Sequence, residues 1–161
     1  MSGGSLQIDT LSPEQTRELG RRIGERCGGG ELIALIGELG SGKTQLAKGL
    51  AAGLGVDRPD QLTSPTFVIV NEYPGRLTLY HIDAYRLNGP GELEALGADD
   101  LLAAGSVVAI EWADRVESWL PPEALIIRLE ITGTQQRRLT MAWADEAAEA
   151  LAECAARDVA R

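Results

Sequence analysis

The sequence predicts one α/β domain in which helices flank a mixed central sheet that includes antiparallel hairpins. Three observations support this fold class. An apolar segment of strand length leads into a glycine-rich loop and then into a helical segment. Two pairs of strand-like segments are each joined by a short turn. The chain of 161 residues shows no repeat, linker or charge block, so residues 1–161 are predicted to form a single domain.

Composition and charge argue against several kinds of binding partner and cellular location. The chain has 15 Lys and Arg residues against 24 Asp and Glu residues, a net charge of −9, so strong stand-alone binding to nucleic acid is not expected. Cys27 and Cys154 match no metal-ligand spacing and are expected to be ordinary thiols in a reducing compartment. No apolar segment reaches the ~18 residues of a membrane span, and the N-terminus lacks a signal-peptide pattern. We therefore expect a cytoplasmic protein without membrane contact.

The first helix is predicted to follow a loosely attached N-terminus, residues 1–10. Ser12 can cap this helix, and Gln15 completes a capping box. Apolar residues four positions apart form its predicted buried face, namely Leu19, Ile23 and Cys27. The glycines at 28–30 end the helix.

The next segments predict the central strand, the helix behind it and the first hairpin. The apolar run "ELIALIG" is typical of a strand covered on both faces. "KTQLAKGLAAGLG" predicts a helix that glycines end. "TSPTFVIVNEY" and "RLTLYHIDAY" are strand-like and joined by the turn residues "PG", which predicts an antiparallel hairpin.

The second half of the chain predicts the remaining elements. "PGELEALGADDLLAAG" indicates one or two short helices, and "SVVAIEW" a buried strand that ends on a carboxylate. "ALIIRLEIT" and "RRLTMAW" predict a second hairpin around "GTQQ". The alanine-rich "ADEAAEALAECAARDVAR" predicts a closing helix.

A phosphate-binding loop, or P-loop, is the strongest functional motif. Gly37, Gly42, Lys43 and Thr44 occupy the fixed positions of G-x-x-x-x-G-K-[ST]. The glycines let backbone N–H groups turn towards phosphates, and the N-terminus of the following helix adds partial positive charge. Lys43 is expected to reach the terminal phosphates and Thr44 to place its hydroxyl on Mg²⁺. Because the motif follows a buried strand and opens a helix, it predicts a nucleotide site in a single P-loop NTPase domain.

Two strand ends supply candidate carboxylates. Phosphoryl chemistry needs an acid near the metal and a group that positions the attacking oxygen. Asp83 ends "TLYHID" and Glu111 ends "VVAIE", so we expect the metal and water roles to be divided between them. The alternative for either residue is an acid that caps a turn or pairs with Arg86 or Arg115.

Three further side chains are interpreted from their positions. Thr66 of "TSPTF" follows the P-loop at the distance where many such enzymes sense the terminal phosphate; the alternative is a threonine that only begins a strand. His81 is the single histidine and is interpreted as structural, and Trp112 is interpreted as a core residue rather than a partner contact. The sequence lacks the N-K-x-D motif that reads guanine, which argues against a GTPase, and it has no room for the lid and acceptor regions of a typical small-molecule kinase.

The motifs "GELGSGKT", "SPTF", "YHIDAYRL" and "IEWADR", in this order over residues 37–115, resemble those of the TsaE (YjeE) family, small bacterial ATPases of the threonylcarbamoyladenosine pathway. The resemblance implies a P-loop fold, binding of ATP and Mg²⁺, and weak intrinsic ATPase activity. It also implies work alongside TsaD and TsaB, which with TsaC modify the adenosine next to the anticodon of ANN-decoding tRNAs. The partners are then expected to hold the tRNA.

The resemblance also implies roles for individual residues. The phosphates would be held by Glu38, Leu39, Gly40, Ser41, Gly42, Lys43 and Thr44. Thr44 and Glu111 would lie on the metal side, Asp83 would act on the metal's water shell or on the attacking water, and Thr66 would be the switch threonine. Which of Asp83 and Glu111 contacts Mg²⁺ stays open, as do two alternatives for the protein: a small kinase with an unknown acceptor, or a nucleotide-dependent binding switch.

Overall fold

A mixed sheet forms the centre of the protein, as predicted, and the described residues contribute seven strands to it, one more than the six strand-like segments of the sequence indicated. The structure, a computed structural model, describes residues 3–62, 70–102 and 105–159. The strands are β1 Gly4–Thr10, β2 Leu32–Gly37, β3 Val70–Tyr73, β4 Thr78–Asp83, β5 Ser106–Glu111, β6 Leu125–Ile131 and β7 Arg137–Trp143. Their order is β1-β7-β6-β2-β5-β4-β3, with the P-loop strand β2 in the middle. β2 is parallel to both neighbours, whereas the two predicted hairpins, β3–β4 and β6–β7, are antiparallel.

Helices cover both faces of this sheet. The α-helices are α1 Pro13–Arg26, α2 Lys43–Gly53, α3 Pro90–Ala95, α4 Ala98–Leu101 and α5 Glu146–Val159. Apolar residues of α1, α2 and α5 form one buried cluster with one face of the sheet. Residues of α3, α4 and the 3₁₀ segment Ala113–Trp119 form a second cluster on the opposite face, which gives three layers. None of the described helices is long and apolar enough to cross a membrane.

The N-terminus corrects one prediction: residues 4–10 are not a loose end. They form β1, which pairs antiparallel with β7 from Gly4 opposite Trp143 to Thr10 opposite Arg137. Buried and exposed positions alternate along the strand, with Ile8 and Thr10 both buried. The glycine-rich start hid this two-residue period, because a strand can be predicted from sequence only where several side chains show the alternation.

Helix α1 begins as predicted, with one difference in its cap. Ser12 Oγ accepts a hydrogen bond from the backbone N–H of Gln15 at 3.2 Å. Gln15 Oε1 in turn accepts from the N–H of Leu11 at 2.8 Å, one residue before the N–H that a standard capping box uses. The residues of the predicted apolar face are buried, namely Leu19, Ile23 and Cys27.

Both cysteines are free thiols in the structure. Cys27 is buried and its Sγ donates to the carbonyl of Ile23 at 3.3 Å, whereas Cys154 is half-buried on α5. Burial, assisted by the Glu31 carboxylate and opposed by Arg76, raises the pKa of Cys27 to about 12. Because the thiolate is the nucleophile, the burial of Cys27 and its raised pKa disfavour reaction of this thiol at neutral pH.

Glycines bring α1 and α2 into backbone contact, and this contact positions the helix that follows the P-loop. A Cβ atom built on Gly49 of α2 would lie 1.9 Å from the carbonyl oxygen of Arg17 on α1. One built on Gly20 of α1 would lie 2.2 Å from the carbonyl oxygen of Leu46 on α2. No side chain fits at either position unless the helices separate.

Gly49→Ala is therefore expected to destabilise the protein by about 1–3 kcal/mol, because overpacking forces backbone shifts. Gly91→Ala is the matched control: Gly91 also lies in a helix, α3, but a Cβ there meets nothing within 4 Å. That control is expected to be neutral or stabilising by up to about 1 kcal/mol. Midpoints of urea unfolding measure both changes, and equal midpoints for the two variants would contradict the packing argument.

Candidate functional site

Several of the predicted site residues meet at the carboxyl ends of the parallel strands, the edge where ligands bind in open α/β sheets. Gly37 ends β2, Asp83 ends β4 and Glu111 ends β5. Asp83 and Glu111 are direct partners in the register of β4 and β5, so their side chains leave the same face of the sheet. Two residues far apart in sequence thus stand side by side next to the P-loop.

The P-loop connects β2 to α2 and needs glycine for two different reasons. Gly37 is required because of crowding: a Cβ there would lie 2.4 Å from Ser41 Oγ and 2.8 Å from the carbonyl oxygen of Leu129. At Gly42 the cause is conformation, because its φ of 106° lies in the region that side chains disfavour. Lys43 follows at once as the first residue of α2, so the loop delivers the chain directly into a helix N-terminus.

A cavity of about 650 Å³ opens beside this loop. Its lining residues are Pro13, Thr16, Leu39, Gly40, Gly42, Lys43, Thr44, Gln45, Asp83, Tyr85, Glu111, Trp112, Gln135 and Arg137. The predicted residues Lys43, Thr44, Asp83 and Glu111 are among them. Two predicted loop residues, Glu38 and Ser41, do not line the cavity, and Thr66 lies outside the residues that the structure describes.

Lys43 is held against the loop from which it projects. Its side chain is buried, with Nζ donating hydrogen bonds to the carbonyl oxygens of Gly37 and Glu38, the latter at 2.9 Å. Nζ also lies 4.0 Å from the centre of the Trp112 ring, within the range of a cation–π contact. Burial lowers the pKa of Lys43, while nearby carboxylates, led by Glu111, oppose the shift. Its amine therefore occupies a fixed position at the cavity wall.

The two carboxylates have different surroundings. Asp83 is half-buried, and its Oδ1 accepts a hydrogen bond from the backbone N–H of Tyr85 at 2.9 Å. Asp83 thus caps the turn that follows β4, and the same residue also lines the cavity. Glu111 is only 2% exposed, and its Oε2 lies 2.5 Å from Nε2 of His81, which is 0% exposed. Glu111 is consequently the more firmly held of the two.

Sequence reasoning missed two aromatic residues of the site. Trp112 packs against the second apolar cluster, as its interpretation as a core residue implies, but it also borders the cavity and places its ring over Lys43. Its φ of 58° turns the chain immediately after β5, which a strand pattern does not reveal. Tyr85 packs against Trp112 with 5.0 Å between ring centres and is 53% exposed. The pair forms an aromatic wall beside the two carboxylates.

Arg137 supports the P-loop from the second hairpin. Its Nε donates to the carbonyl oxygen of Ser41 at 3.1 Å and its Nη2 to that of Gly40 at 3.0 Å. A third contact, from Nη1 to the carbonyl of Gly133 at 3.0 Å, ties the same guanidinium to the β6–β7 turn. The next residue, Arg138, instead pairs with Asp9 at the exposed surface, 3.0 Å away. Arg137 is therefore part of the site and Arg138 is not.

Comparisons with known proteins give a consistent result. The sequence model of the family described as "Threonylcarbamoyl adenosine biosynthesis protein TsaE" matches residues 10–139. The tRNA threonylcarbamoyladenosine biosynthesis protein TsaE of Treponema pallidum is 39% identical over 137 residues, which cover 85% of this chain and 100% of that protein. Its namesake from Bacillus subtilis is 39% identical over 136 residues, 84% of each chain. The crystal structure of Bacillus subtilis YdiB matches with a TM-score of 0.78 and 32% identity over 98% of both chains. The chain therefore belongs to the TsaE family.

Proposed function

We propose that the protein is a P-loop ATPase that binds and slowly hydrolyses Mg-ATP in support of a TsaB–TsaD complex. That complex would threonylcarbamoylate the adenosine next to the anticodon of ANN-decoding tRNAs. Family membership itself supports a role in tRNA threonylcarbamoyladenosine biosynthesis. The observation that carries the finer proposal is the convergence of Lys43, Asp83 and Glu111 on the cavity that the P-loop borders.

The cavity suits a nucleoside triphosphate. Its volume of about 650 Å³ lies within the roughly 300–1,000 Å³ that is usual for cofactor sites. The first N–H groups of α2 lack helical partners and favour anions, and Lys43 adds a cation at the same end. We therefore propose that residues 38–44 hold the phosphates, as the motif predicts.

The acidic side of the cavity suits Mg²⁺. Among the described residues, no cluster of three or more Asp, Glu, His or Cys could hold a metal ion alone. In phosphoryl-transfer sites Mg²⁺ usually has one or two protein ligands and takes the rest from phosphate and water. The hydroxyl of Thr44 and the carboxylate of Glu111 would be those ligands, since both residues line the cavity. A bound Mg²⁺ would neutralise negative charge on the phosphate oxygens.

The two strand-end carboxylates would share the remaining work. Glu111, buried and held by His81, is proposed for the metal side. Asp83, half-buried at the neighbouring strand end, would orient the attacking water or a water bound to the metal. Thr66 remains the proposed switch threonine.

The negative net charge of the chain supports the proposal that partner proteins hold the RNA. A net charge of −9 opposes tight binding to a phosphate backbone, because such binding needs cationic side chains to displace counterions. A tRNA-modifying system that includes this chain would therefore place its main RNA contacts on other subunits, here TsaB and TsaD.

Release of inorganic phosphate from Mg-ATP tests the proposal, measured for the protein alone and with cognate TsaB and TsaD. Slow release that rises when the partners are added is the expected result. Release that requires an added acceptor and produces a phosphorylated product would instead indicate a kinase. Tight ATP binding with no release in any condition would indicate a binding switch, which predicts different partner affinities with ATP and ADP.

Arg137→Ala is expected to weaken ATP binding on the order of 10- to 100-fold. The substitution removes two charged hydrogen bonds that fix the P-loop carbonyls of Gly40 and Ser41, and because these bonds stabilise the loop rather than contact ATP, only about 1.5–3 kcal/mol of their combined contribution should reach the affinity. Arg138→Ala is the matched control, because its exposed pair with Asp9 should matter by no more than about twofold. Titration calorimetry with a non-hydrolysable ATP analogue measures both, and equal affinities would show that the P-loop does not need this support.

A further inference from the structure

We propose that His81 is a positioning residue for Glu111: its imidazole fixes the carboxylate at the cavity wall in the orientation that ATP hydrolysis requires. The inference rests on the proposed function and assigns to the single histidine of the chain a role beyond filling the core. It concerns a side chain that does not itself line the cavity.

The geometry of two neighbouring strands produces this contact. His81 and Asp83 lie two residues apart on β4 and therefore point to the same face of the sheet. Glu111 stands opposite Asp83 on β5, and the residue opposite His81 is Ala109. Because alanine is small, the imidazole can extend diagonally past Ala109 to Glu111, where Nε2 comes within 2.5 Å of Oε2.

The chemistry of the pair indicates which atom carries the proton. An ionised carboxylate only accepts hydrogen bonds, so with Glu111 ionised Nε2 of His81 bears the hydrogen and donates to it. Among the described residues, Nδ1 of His81 has no hydrogen-bond partner. The Nε2 contact is thus the polar interaction that the described structure provides for a ring that is 0% exposed.

Fixing Glu111 matters because a glutamate side chain has several rotatable bonds. A carboxylate that must face a metal ion or a water molecule acts more efficiently when a hydrogen-bond partner excludes its unproductive orientations. The backbone of Glu111 is already held at the end of β5, within the sheet. His81 extends that rigidity to the carboxylate itself, whereas Asp83 takes its hydrogen bond from a backbone N–H in the following turn.

A purely structural role for His81 predicts different experimental results. If His81 only filled space, its replacement would lower stability without separating catalysis from binding. If it positions Glu111, replacement by a side chain of similar size without a donor should lower kcat while leaving ATP affinity nearly unchanged. A replacement that can still donate to Glu111 should restore much of the loss.

Nuclear magnetic resonance tests the contact without any nucleotide. Because the chain has one histidine, ¹⁵N-histidine labelling gives a single ring spectrum. We expect a low-field Nε2–H proton that exchanges slowly with water and is lost in Glu111→Ala but retained in Asp83→Ala. A ring without such a proton, or one unaffected by Glu111→Ala, would overturn the inference.

Kinetics with the assembled TsaB–TsaD partners test the consequence. His81→Leu is expected to lower kcat about 10- to 100-fold, the usual range for the loss of an orienting partner, with KM and the affinity for an ATP analogue changed by less than about threefold. His81→Gln, whose amide can donate to Glu111, should recover most of the loss. His81→Asn, with a shorter amide, should not recover it and replaces His81→Leu if that variant fails to fold.

The outcomes separate this inference from the proposed function. If the unmodified protein hydrolyses ATP with its partners and folded His81→Leu or His81→Asn has the same kcat, the positioning role alone is overturned. Equal losses in His81→Gln and His81→Leu would also overturn it. Absence of phosphate release by the unmodified protein with its partners would overturn the proposed function, and the positioning role would fall with it even if the Nε2–H proton were observed.

Discussion

Lys43→Ala is expected to weaken ATP binding by at least about 100-fold. The lysine is buried at the first position of α2, and its Nζ is held within hydrogen-bonding distance of the loop carbonyls. In the proposed complex the same ammonium would contact the terminal phosphates, where each charge-assisted hydrogen bond contributes about 1.5–3 kcal/mol. Two such contacts correspond to a 100-fold or larger change in affinity. Titration calorimetry with a non-hydrolysable ATP analogue and Mg²⁺ measures this change in affinity.

Lys48→Ala is the matched control for this variant. Lys48 lies on the same helix and is half-buried, but it does not line the cavity. Thermal melting of both variants must accompany the titrations, because Lys43→Ala also removes hydrogen bonds to Gly37 and Glu38. A folded Lys43→Ala protein that binds the analogue within about threefold of the wild type would rule out the proposed role of the P-loop.

Sequence patterns predicted most of the fold because the relevant signals are local. The apolar run of β2, the P-loop and the start of α2 are adjacent in the chain, so one motif fixes all three. Both hairpins were predictable from strand-like segments joined by short turns. The strand β1 was missed because its first two residues and the two before them are all Gly or Ser, and because its partner β7 is more than 120 residues away along the chain.

The site was predictable only in part because several of its contacts depend on register. Nothing in the sequence sets β4 against β5 so that Asp83 meets Glu111 and His81 reaches the same carboxylate. Arg137 and Arg138 are adjacent in sequence, and which of them faces the P-loop follows only from the alternation of β7 in the folded sheet. Motifs therefore identify the reactive side chains, whereas the long-range pairing of strands determines which residues contact and position them.

The electrostatic design of the site also depends on three-dimensional packing. Glu111 lies close enough to Lys43 to be the leading carboxylate that opposes the effect of burial on the lysine. A buried cation and a buried carboxylate at one cavity wall compensate each other, whereas either one alone would be costly. For Glu111, which His81 also holds, the role of the charge is therefore best tested with a substitution that preserves size and hydrogen bonding.

Glu111→Gln is such a substitution, and it is expected to lower ATP turnover by about 100-fold or more while leaving ATP affinity within a few-fold. Its amide oxygen can still accept from His81 Nε2, so the packing of the buried pair is retained and only the negative charge is lost. In the proposed site this charge would help to hold Mg²⁺ against the phosphates, and loss of one preorganised electrostatic contact to the transition state typically costs about 10²–10³-fold in rate. Phosphate release with TsaB and TsaD measures the turnover, and titration with the analogue measures the affinity.

Glu117→Gln controls for the loss of one negative charge in the same region. Glu117 lies in the 3₁₀ segment after β5 and pairs with Arg128 at the surface, with 60% of its side chain exposed. Its replacement should leave turnover unchanged, since exposed ion pairs contribute little. If Glu111→Gln hydrolysed ATP as fast as Glu117→Gln, the carboxylate would have no part in the reaction, and Asp83 would be the remaining acid of the described cavity that could position the attacking water.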